Sequence, residues 1–208
     1  MSKRAGAIPE ETKEAILTAA RSEFSACGFQ KSSLRRICAA AGVTTGALYF
    51  FFEGKDDLFQ NVLAQVMQPF NRLMQQHYQY EKEVSERSPR RDYRQSVDAD
   101  FQISELLIQL YFQNQQTWDI LVHHQDHPAV QAFLDDFVET STQHYRYLLR
   151  EVSAEKPVDQ FAIHQFVHMQ ADTMLTLISH GFTREEMLAH SKTVTKMLRA
   201  AFQALLTE

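Results

Sequence analysis

The sequence is poor in the residues that interrupt helices and in those that form cross-links. It has six glycines and five prolines in 208 residues, so long segments stay unbroken and an all-α fold is favoured. We interpret its two cysteines, Cys27 and Cys38, as small core residues rather than a disulfide. No apolar run approaches the roughly eighteen residues of a membrane-spanning helix. The first residues lack the apolar segment of a secretion signal, so a cytoplasmic location is expected.

Catalytic motifs are also missing. The sequence contains no nucleophile elbow, phosphate-cradling loop or paired-carboxylate motif, so no enzymatic activity is expected. Two histidine groups have spacings that metal sites use, namely His123, His124 and His127, and the pair His164 and His168. Neither group has a third ligand placed by its spacing. We interpret the first as a solvated loop and the second as interface packing or hydrogen bonding, and we predict no metal and no cofactor.

The most informative segment is residues 33–59, SLRRICAAAGVTTGALYFFFEGKDDLF. Apolar residues recur at helical spacing from Leu34 to Ala41. This spacing predicts a short helix with one buried face, and it leaves Arg35 and Arg36 on the other face.

A tight turn is expected after this helix. Gly42 suits a left-handed turn residue, and Val43 supplies an apolar contact that fixes two helices near a right angle. Thr44 or Thr45 then caps a second short helix, which extends to about Phe51. The first residues of that helix are small, so its free N–H groups and the positive end of its dipole can come close to a phosphate. The pattern is typical of a helix-turn-helix that binds DNA.

Within this segment, AGVTTGALYFFFEGKDDLF resembles the DNA-binding domain of the tetracycline-repressor (TetR) family, whose pattern is AGV-[ST]-x-G-x-LY-x-[YH]-F-x-x-K-x-x-L. The resemblance covers about the first 60 residues. It implies an all-α fold of about nine helices, with a DNA-binding domain in residues 1–60 and a helical effector-binding and dimerisation domain in residues 61–208. It also implies a ligand-responsive regulator, most often a repressor, that binds a palindromic operator in double-stranded DNA as a homodimer.

The charge distribution supports DNA binding only weakly. Residues 1–60 hold eight Lys and Arg against seven Asp and Glu, so their net charge is +1, whereas the remainder carries −6. The placement of individual residues therefore matters more than the total. The predicted DNA contacts are Ser33, Arg35, Arg36, Thr44, Thr45, Gly46, Ala47, Tyr49 and Lys55. Many family members have Tyr or His in the two positions after the Leu-Tyr pair, whereas Phe50 and Phe51 cannot donate a hydrogen bond to phosphate.

Six further helices are predicted beyond the motif. They are expected at residues 55–82, 97–115, 116–124, 128–152, 158–180 and 183–206, with a charged loop at 83–96. Pro69 is expected to kink the first of them. Thr183 and Glu186 form a capping box at the start of the last one. The last two helices are apolar on more than one face, so we expect them to pair with the same helices of a second chain, unless the predicted boundaries misplace core residues.

Large aromatic and methionine side chains are frequent in the middle helices. The resemblance implies an effector cavity among helices four to eight, and such walls suit a bulky apolar or aromatic molecule. Ordinary core packing is the alternative. The predicted ligand contacts are Met67, Phe70, Met74, Phe101, Tyr111, Trp118, Phe133, Phe137 and Phe166.

Two other functions fit the same sequence. The first is a DNA-binding protein with the same dimer but no small-molecule effector, controlled by a protein partner or used architecturally. The second is a helical ligand-binding or scaffold protein whose helix-turn-helix is vestigial. Ligand retained during purification would argue against the first, and salt-dependent DNA binding would exclude the second.

Overall fold

The structure is a computed structural model that describes residues 9–87, 93–152 and 159–207. Over these ranges it contains nine α-helices and no strand, which confirms the expected all-α class. The helices are α1 (Pro9–Lys31), α2 (Leu34–Ala41), α3 (Thr45–Phe51), α4 (Lys55–Arg87), α5 (Tyr93–Gln113), α6 (Gln115–His123), α7 (Pro128–Val152), α8 (Gln160–Ser179) and α9 (Arg184–Thr207).

The predicted boundaries differ most from the structure around the expected loop at 83–96. Helix α4 continues to Arg87 and α5 begins at Tyr93, so most of the predicted loop is helical, and its residues 88–92 lie outside the described residues. Of the charged residues described here, Glu86 and Arg87 are exposed and Glu83 is half-buried, whereas Ser85 is buried. The run of charged residues therefore did not indicate the end of the helix. The helix also continues through Pro69.

Helix α1 changes direction close to its end. Gly28 has a φ of 70° and a ψ of 167°, a backbone conformation that side-chain-bearing residues rarely adopt. The chain turns there and buries the next residue, Phe29, whose ring centroid lies 4.9 Å from that of Phe59 in α4. The end of α1 is thereby fixed against the start of α4.

Helix α4 joins the two ends of the molecule through one continuous core. Its residues Leu58, Val62, Val66 and Phe70 are buried in a cluster that extends from α1 to α9. A smaller second cluster joins α7, α8 and α9 around Phe202. Because interiors are close-packed, a displacement of α4 at one end of this core has to be accommodated at the other.

Two helices begin where capping residues and proline in the sequence predict. At the start of α9, the Thr183 N–H donates to Glu186 Oε2 at 2.9 Å and the Glu186 N–H donates to Thr183 Oγ1 at 3.3 Å. This is the predicted capping box, in which each residue satisfies a free N–H group of the other. Pro128 is the first residue of α7, as expected for a residue without an N–H group.

Candidate nucleic-acid interface and ligand cavity

The turn between α2 and α3 has the geometry that the sequence predicts. Gly42 has a φ of 68°, and the Val43 N–H donates to the Cys38 carbonyl at 3.0 Å, which closes the end of α2. Of the two candidate caps, Thr44 is the one used, because its side-chain oxygen accepts from the Ala47 N–H at 3.1 Å. The turn and the cap together direct the first residues of α3 away from the body of the protein.

Helix α3 is anchored by one side and exposed on the other. Leu48 is fully buried, whereas Thr45 and Gly46 are exposed. Tyr49 and Phe50 are 58% and 78% exposed, respectively. The Phe50 ring contacts that of Phe51, with centroids 4.9 Å apart, and leaves most of its surface exposed. An exposed apolar ring can contact thymine methyl groups in a major groove, a role that the sequence analysis does not assign to Phe50.

The two arginines of α2 have different environments. Arg36 donates through Nε to Glu23 Oε1 at 2.8 Å and through Nη2 to the Lys31 carbonyl at 2.8 Å. The Arg36 guanidinium lowers the pKa of the Glu23 carboxyl group, which also accepts from the Ser33 N–H at 3.0 Å. Arg35 is exposed and makes no hydrogen bond or ion pair with the described residues. Arg36 and Ser33 therefore fix α2 against α1, and Arg35 is the arginine available to a base edge.

Lys55 lies at the joint between α1 and α4. Its ammonium group donates to the Phe29 carbonyl at 2.9 Å and the Gln30 carbonyl at 3.2 Å, and it lies 4.6 Å from the centroid of the Phe29 ring. These carbonyls are near the end of α1, where backbone acceptors lack intrahelical partners. Contact of Lys55 with DNA stays a prediction, and the observed contacts give this side chain a structural role.

The histidines after α6 contact the same joint, so their interpretation as a solvated loop is wrong. His124 Nε2 accepts from the Phe29 N–H at 2.9 Å, which requires that Nδ1 carries the proton and donates to the Ile120 carbonyl at 2.7 Å. His127 is buried against the rings of Phe29 and Phe59, with ring centroids 4.7 Å and 4.4 Å away. Only His123 of the three is exposed.

Burial lowers the pKa of His127, and this effect outweighs the opposing influence of nearby Asp56. His127 Nε2 has no hydrogen-bond partner among the described residues, and it lies 3.7 Å from Asp56 Oδ1. A neutral imidazole is therefore favoured at this position, where α6 and α7 meet the DNA-binding end.

A cavity of about 250 Å³ lies among α4 to α9. Six of the nine predicted ligand contacts line it, and the other three do not. The six predicted residues that line it are Phe70, Met74, Tyr111, Trp118, Phe137 and Phe166. Met67 packs against the main core, Phe101 is half-buried, and Phe133 packs against the Phe70 ring with centroids 5.4 Å apart. Those three side chains fill space around the cavity rather than face it.

The cavity walls combine rings with a few polar groups. Trp118 is buried with its ring centroid 6.0 Å from that of Phe70, and its Nε1–H has no acceptor within the described ranges. A buried donor without a partner costs about 1–3 kcal/mol, which a bound acceptor could recover. Elsewhere in the wall, Gln170 Nε2 donates to the Tyr145 hydroxyl oxygen at 2.8 Å. Burial also raises the pKa of Tyr78, whose hydroxyl is 2.6 Å from Ser141 Oγ.

Helices α8 and α9 expose large apolar side chains. Phe161 and Met169 in α8 are 67% and 46% exposed, and Met197 in α9 is 66% exposed. By contrast, Ala201 and Phe202 in α9 pack into the second core cluster of their own chain. The apolar surplus of this helix pair therefore divides into an internal face and an exposed face.

The histidine pair on α8 makes the hydrogen bond that was one of its two expected roles. His164 Nε2 and His168 Nε2 lie 3.0 Å apart, and His164 is exposed on the same helix as Phe161.

Among the helices that the structure describes, none has the length and apolar character that crossing a membrane requires.

The N-terminal part of the chain matches known proteins by sequence. The family model "Bacterial regulatory proteins, tetR family" matches residues 16–62. The chain is 43% identical over 74 residues to the HTH-type transcriptional repressor BepR of Brucella suis, which is 36% of this chain and 35% of BepR. It is 41% identical over 69 residues to the HTH-type transcriptional regulator SrpR of Pseudomonas putida, which is 33% of this chain and 32% of SrpR. The chain thus matches about a third of the length of these curated relatives.

The fold as a whole is similar to that of solved regulators. SmeT, the repressor of the Stenotrophomonas maltophilia multidrug efflux pump SmeDEF, aligns over 92% of this chain and 91% of its own. The TM-score is 0.66 and the sequence identity is 20%, a likeness that concerns the fold alone. The relatives matched by sequence are named as transcriptional regulators, in agreement with the expected lack of enzymatic activity.

Proposed function

We propose that this chain, which belongs to the tetracycline-repressor (TetR) family of bacterial regulatory proteins, is a cytoplasmic repressor that binds operator DNA as a homodimer and releases it when a small molecule enters the cavity. The observation that carries the proposal is the course of α4. This helix begins at Lys55, beside the helix-turn-helix, and lines the cavity from Phe70 onward. Those two residues are about 22 Å apart along a continuous helix.

The DNA contacts proposed for each chain come from α2 and α3. Arg35, Thr45 and Gly46 are exposed where a recognition helix meets base edges. Tyr49 and the backbone at the start of α3 contact phosphates, and Phe50 adds apolar contact in the groove. Residues 1–60 would thus form the DNA-binding domain and residues 61–208 the effector-binding and dimerisation domain.

The proposed dimer forms through the exposed faces of α8 and α9. Phe161 and Met197 each expose about two-thirds of their surface there. Covering such a phenylalanine removes roughly 130 Å² from water, which corresponds to about 3 kcal/mol. A two-fold axis through this face relates two recognition helices, and the palindromic operator reflects that symmetry. Successive major grooves on one side of DNA lie about 34 Å apart.

The proposed effector is a bulky apolar or aromatic molecule with at least one hydrogen-bond acceptor. The rings of Phe70, Phe137 and Phe166 supply the apolar wall, and the buried Nε1–H of Trp118 supplies a donor. Such a molecule moves α4 and with it the spacing of the two recognition helices. It releases DNA only to the extent that it binds the displaced dimer more tightly.

The test combines a compound panel with a variant that fills the cavity. Trp118 is the only tryptophan in the sequence, so its fluorescence reports entry of an aromatic compound, and anisotropy of a labelled selected DNA reports release. Val194 lines the cavity, so Val194→Phe is expected to abolish the response while DNA affinity stays unchanged. The control is Leu106→Phe, on the exposed face of α5 outside the cavity.

The outcomes separate the proposed function from its main alternative. A compound that changes Trp118 fluorescence without changing DNA affinity contradicts regulation through the cavity. DNA binding that no compound in the panel alters favours the effector-free regulator, controlled by a protein partner or used architecturally.

A further inference from the structure

Three side chains with metal-ligating atoms meet in the wall of the cavity. His77 and Glu81 come from α4 and Asp100 comes from α5, and their ligating atoms all lie within 4.8 Å of one another. We propose that these three side chains bind a divalent transition-metal ion such as Zn²⁺. The site is separate from the two histidine groups that the sequence spacing indicated.

The geometry needs little adjustment to hold an ion. His77 and Glu81 are four residues apart on α4, so they lie on the same helix face, and His77 Nε2 is 3.6 Å from Glu81 Oε2. His77 Nε2 is also 3.8 Å from Asp100 Oδ1. Two ligands of a tetrahedral zinc ion, each about 2.0–2.1 Å from the metal, are about 3.3 Å apart. A contraction of about half an ångström therefore brings His77 Nε2 to this distance from each carboxylate oxygen, and the ligating atoms of all three side chains already lie within 4.8 Å of one another.

Each carboxylate also contacts a further side chain, at the oxygen nearest His77 in Glu81 and at the opposite oxygen in Asp100. His144 Nε2 lies 2.7 Å from Glu81 Oε2, and Arg199 Nη1 donates to Asp100 Oδ2 at 2.8 Å. The Arg199 contact leaves the other oxygen of Asp100, Oδ1, as the one directed toward His77. Outer partners of this kind orient metal ligands and are a regular part of metal sites. They also link the site to α7 and α9, so the proposed ion joins four helices.

Two acidic side chains meet in this cluster. Glu81 is buried and Asp100 is half-buried, and Arg199 forms an ion pair with Asp100 at 2.8 Å. Carboxylates removed from water are costly unless they are compensated, and a divalent ion compensates two of them without adding bulk to the cavity.

The ligand set selects the class of ion. An imidazole with two carboxylates suits zinc, iron, cobalt or nickel, whereas Mg²⁺ and Ca²⁺ prefer oxygen ligands alone. Three protein ligands leave a coordination position for water on the cavity side, the arrangement of an open zinc site rather than a closed structural one.

The test uses the full chain, stripped of metal with a chelator and titrated with Zn²⁺ against a chromophoric competitor. One ion per chain is expected, with a rise in melting temperature. His77→Ala and the isosteric Asp100→Asn are each expected to weaken zinc binding at least about tenfold, and His144→Gln about 10–100-fold. Bound Co²⁺ should show the visible absorption of a low-symmetry site in the wild type and lose it in His77→Ala. Helical circular dichroism checks that each variant is folded. If His77→Ala fails to fold, the zinc affinity of Asp100→Asn decides the test.

A matched control comes from the histidine pair on α8, in which His164 is exposed and His168 is half-buried. His168→Ala is expected to bind zinc as tightly as the wild type. If His168→Ala loses the ion while His77→Ala and Asp100→Asn keep it, the ion binds on the surface and the proposal is overturned. Wild-type protein that fails to bind Zn²⁺ or Co²⁺ at all overturns it as well. Neither result bears on DNA binding, which is measured separately.

Discussion

Replacing Lys55 by methionine tests whether this side chain joins α1 to α4 or contacts DNA phosphate. Methionine keeps the apolar stem but loses the hydrogen bonds to the carbonyls of Phe29 and Gln30 and the contact with the Phe29 ring. A hydrogen bond to a charged group contributes about 1.5–3 kcal/mol, and a cation over a ring adds about 0.5–1 kcal/mol. Because Lys55 is only half-buried, solvent reduces this sum, and we expect a loss of about 2 kcal/mol in the free energy of unfolding.

Two assays on the same variant separate the roles. Urea denaturation followed by circular dichroism gives the free energy of unfolding, and the logarithm of operator affinity against that of salt concentration gives the number of neutralised phosphates. The control is Lys31→Met, because Lys31 is exposed in the last turn of α1, and we expect a stability change within about 0.5 kcal/mol. We expect Lys55→Met to leave the salt slope unchanged. Unchanged stability with a slope lowered by about 0.9 would show that Lys55 acts on phosphate and would refute the reasoning.

Four further predictions test the interface, the joint and the dimer. Gly46→Leu should abolish DNA binding, because its side chain occupies the exposed face proposed to meet DNA. The helical circular dichroism should stay unchanged, because the nearest protein atom to an added Cβ is 3.8 Å away. Retained binding would remove Gly46 from the DNA face. Arg35→Ala should weaken binding to a selected site more than to random DNA, since Arg35 is assigned to base edges; equal weakening would make it a phosphate contact. The lowered pKa of His127 means that the unfolded chain takes up a proton first, so the free energy of unfolding should fall as pH drops below about 6.5, and this component should vanish in His127→Gln. Phe161→Glu with Met197→Glu should give a folded monomer in sedimentation with greatly weakened operator binding, whereas a variant that stays dimeric would exclude this face.

Features set by neighbouring residues were predictable from the sequence. The left-handed Gly42, a threonine cap on α3 and the Thr183 capping box depend on groups within a few residues of one another, so residue type indicates them, although only the structure distinguishes Thr44 from Thr45 as the cap. The same holds for Pro128 at the start of α7. All four signals concern free backbone groups at helix ends.

Features that join distant segments were not predictable in this way. His124 and Phe29 are 95 residues apart, and the cluster of His77 and Asp100 needs α4 and α5 to lie side by side. The polarity of the histidines at 123–127 predicts a solvated loop. Polarity carries no information on the rings of α1 and α4 that contact His124 and His127. Hydrogen-bonded histidines pack against aromatic rings once a tertiary contact supplies the partner.

The cavity illustrates the same limit within one helix. Phe133 and Phe137 are four residues apart on α7 and both are buried, yet only Phe137 faces the cavity. Helical spacing assigns both to the inner face. Both rings pack against that of Phe70, with centroids 5.4 Å away for Phe133 and 5.6 Å away for Phe137. Which of the two rings faces the cavity depends on the position of α4, and the sequence of α7 alone does not indicate that position.

Selection of bound fragments from random double-stranded DNA tests the central claim most directly. The full chain should enrich a palindrome whose half-sites are read by α3 of two chains, and sedimentation of the complex should give an even number of chains per site. The affinity for this site should fall steeply with salt. Fragments without a shared sequence, or a single asymmetric site bound by one chain, would contradict the account of a dimeric regulator.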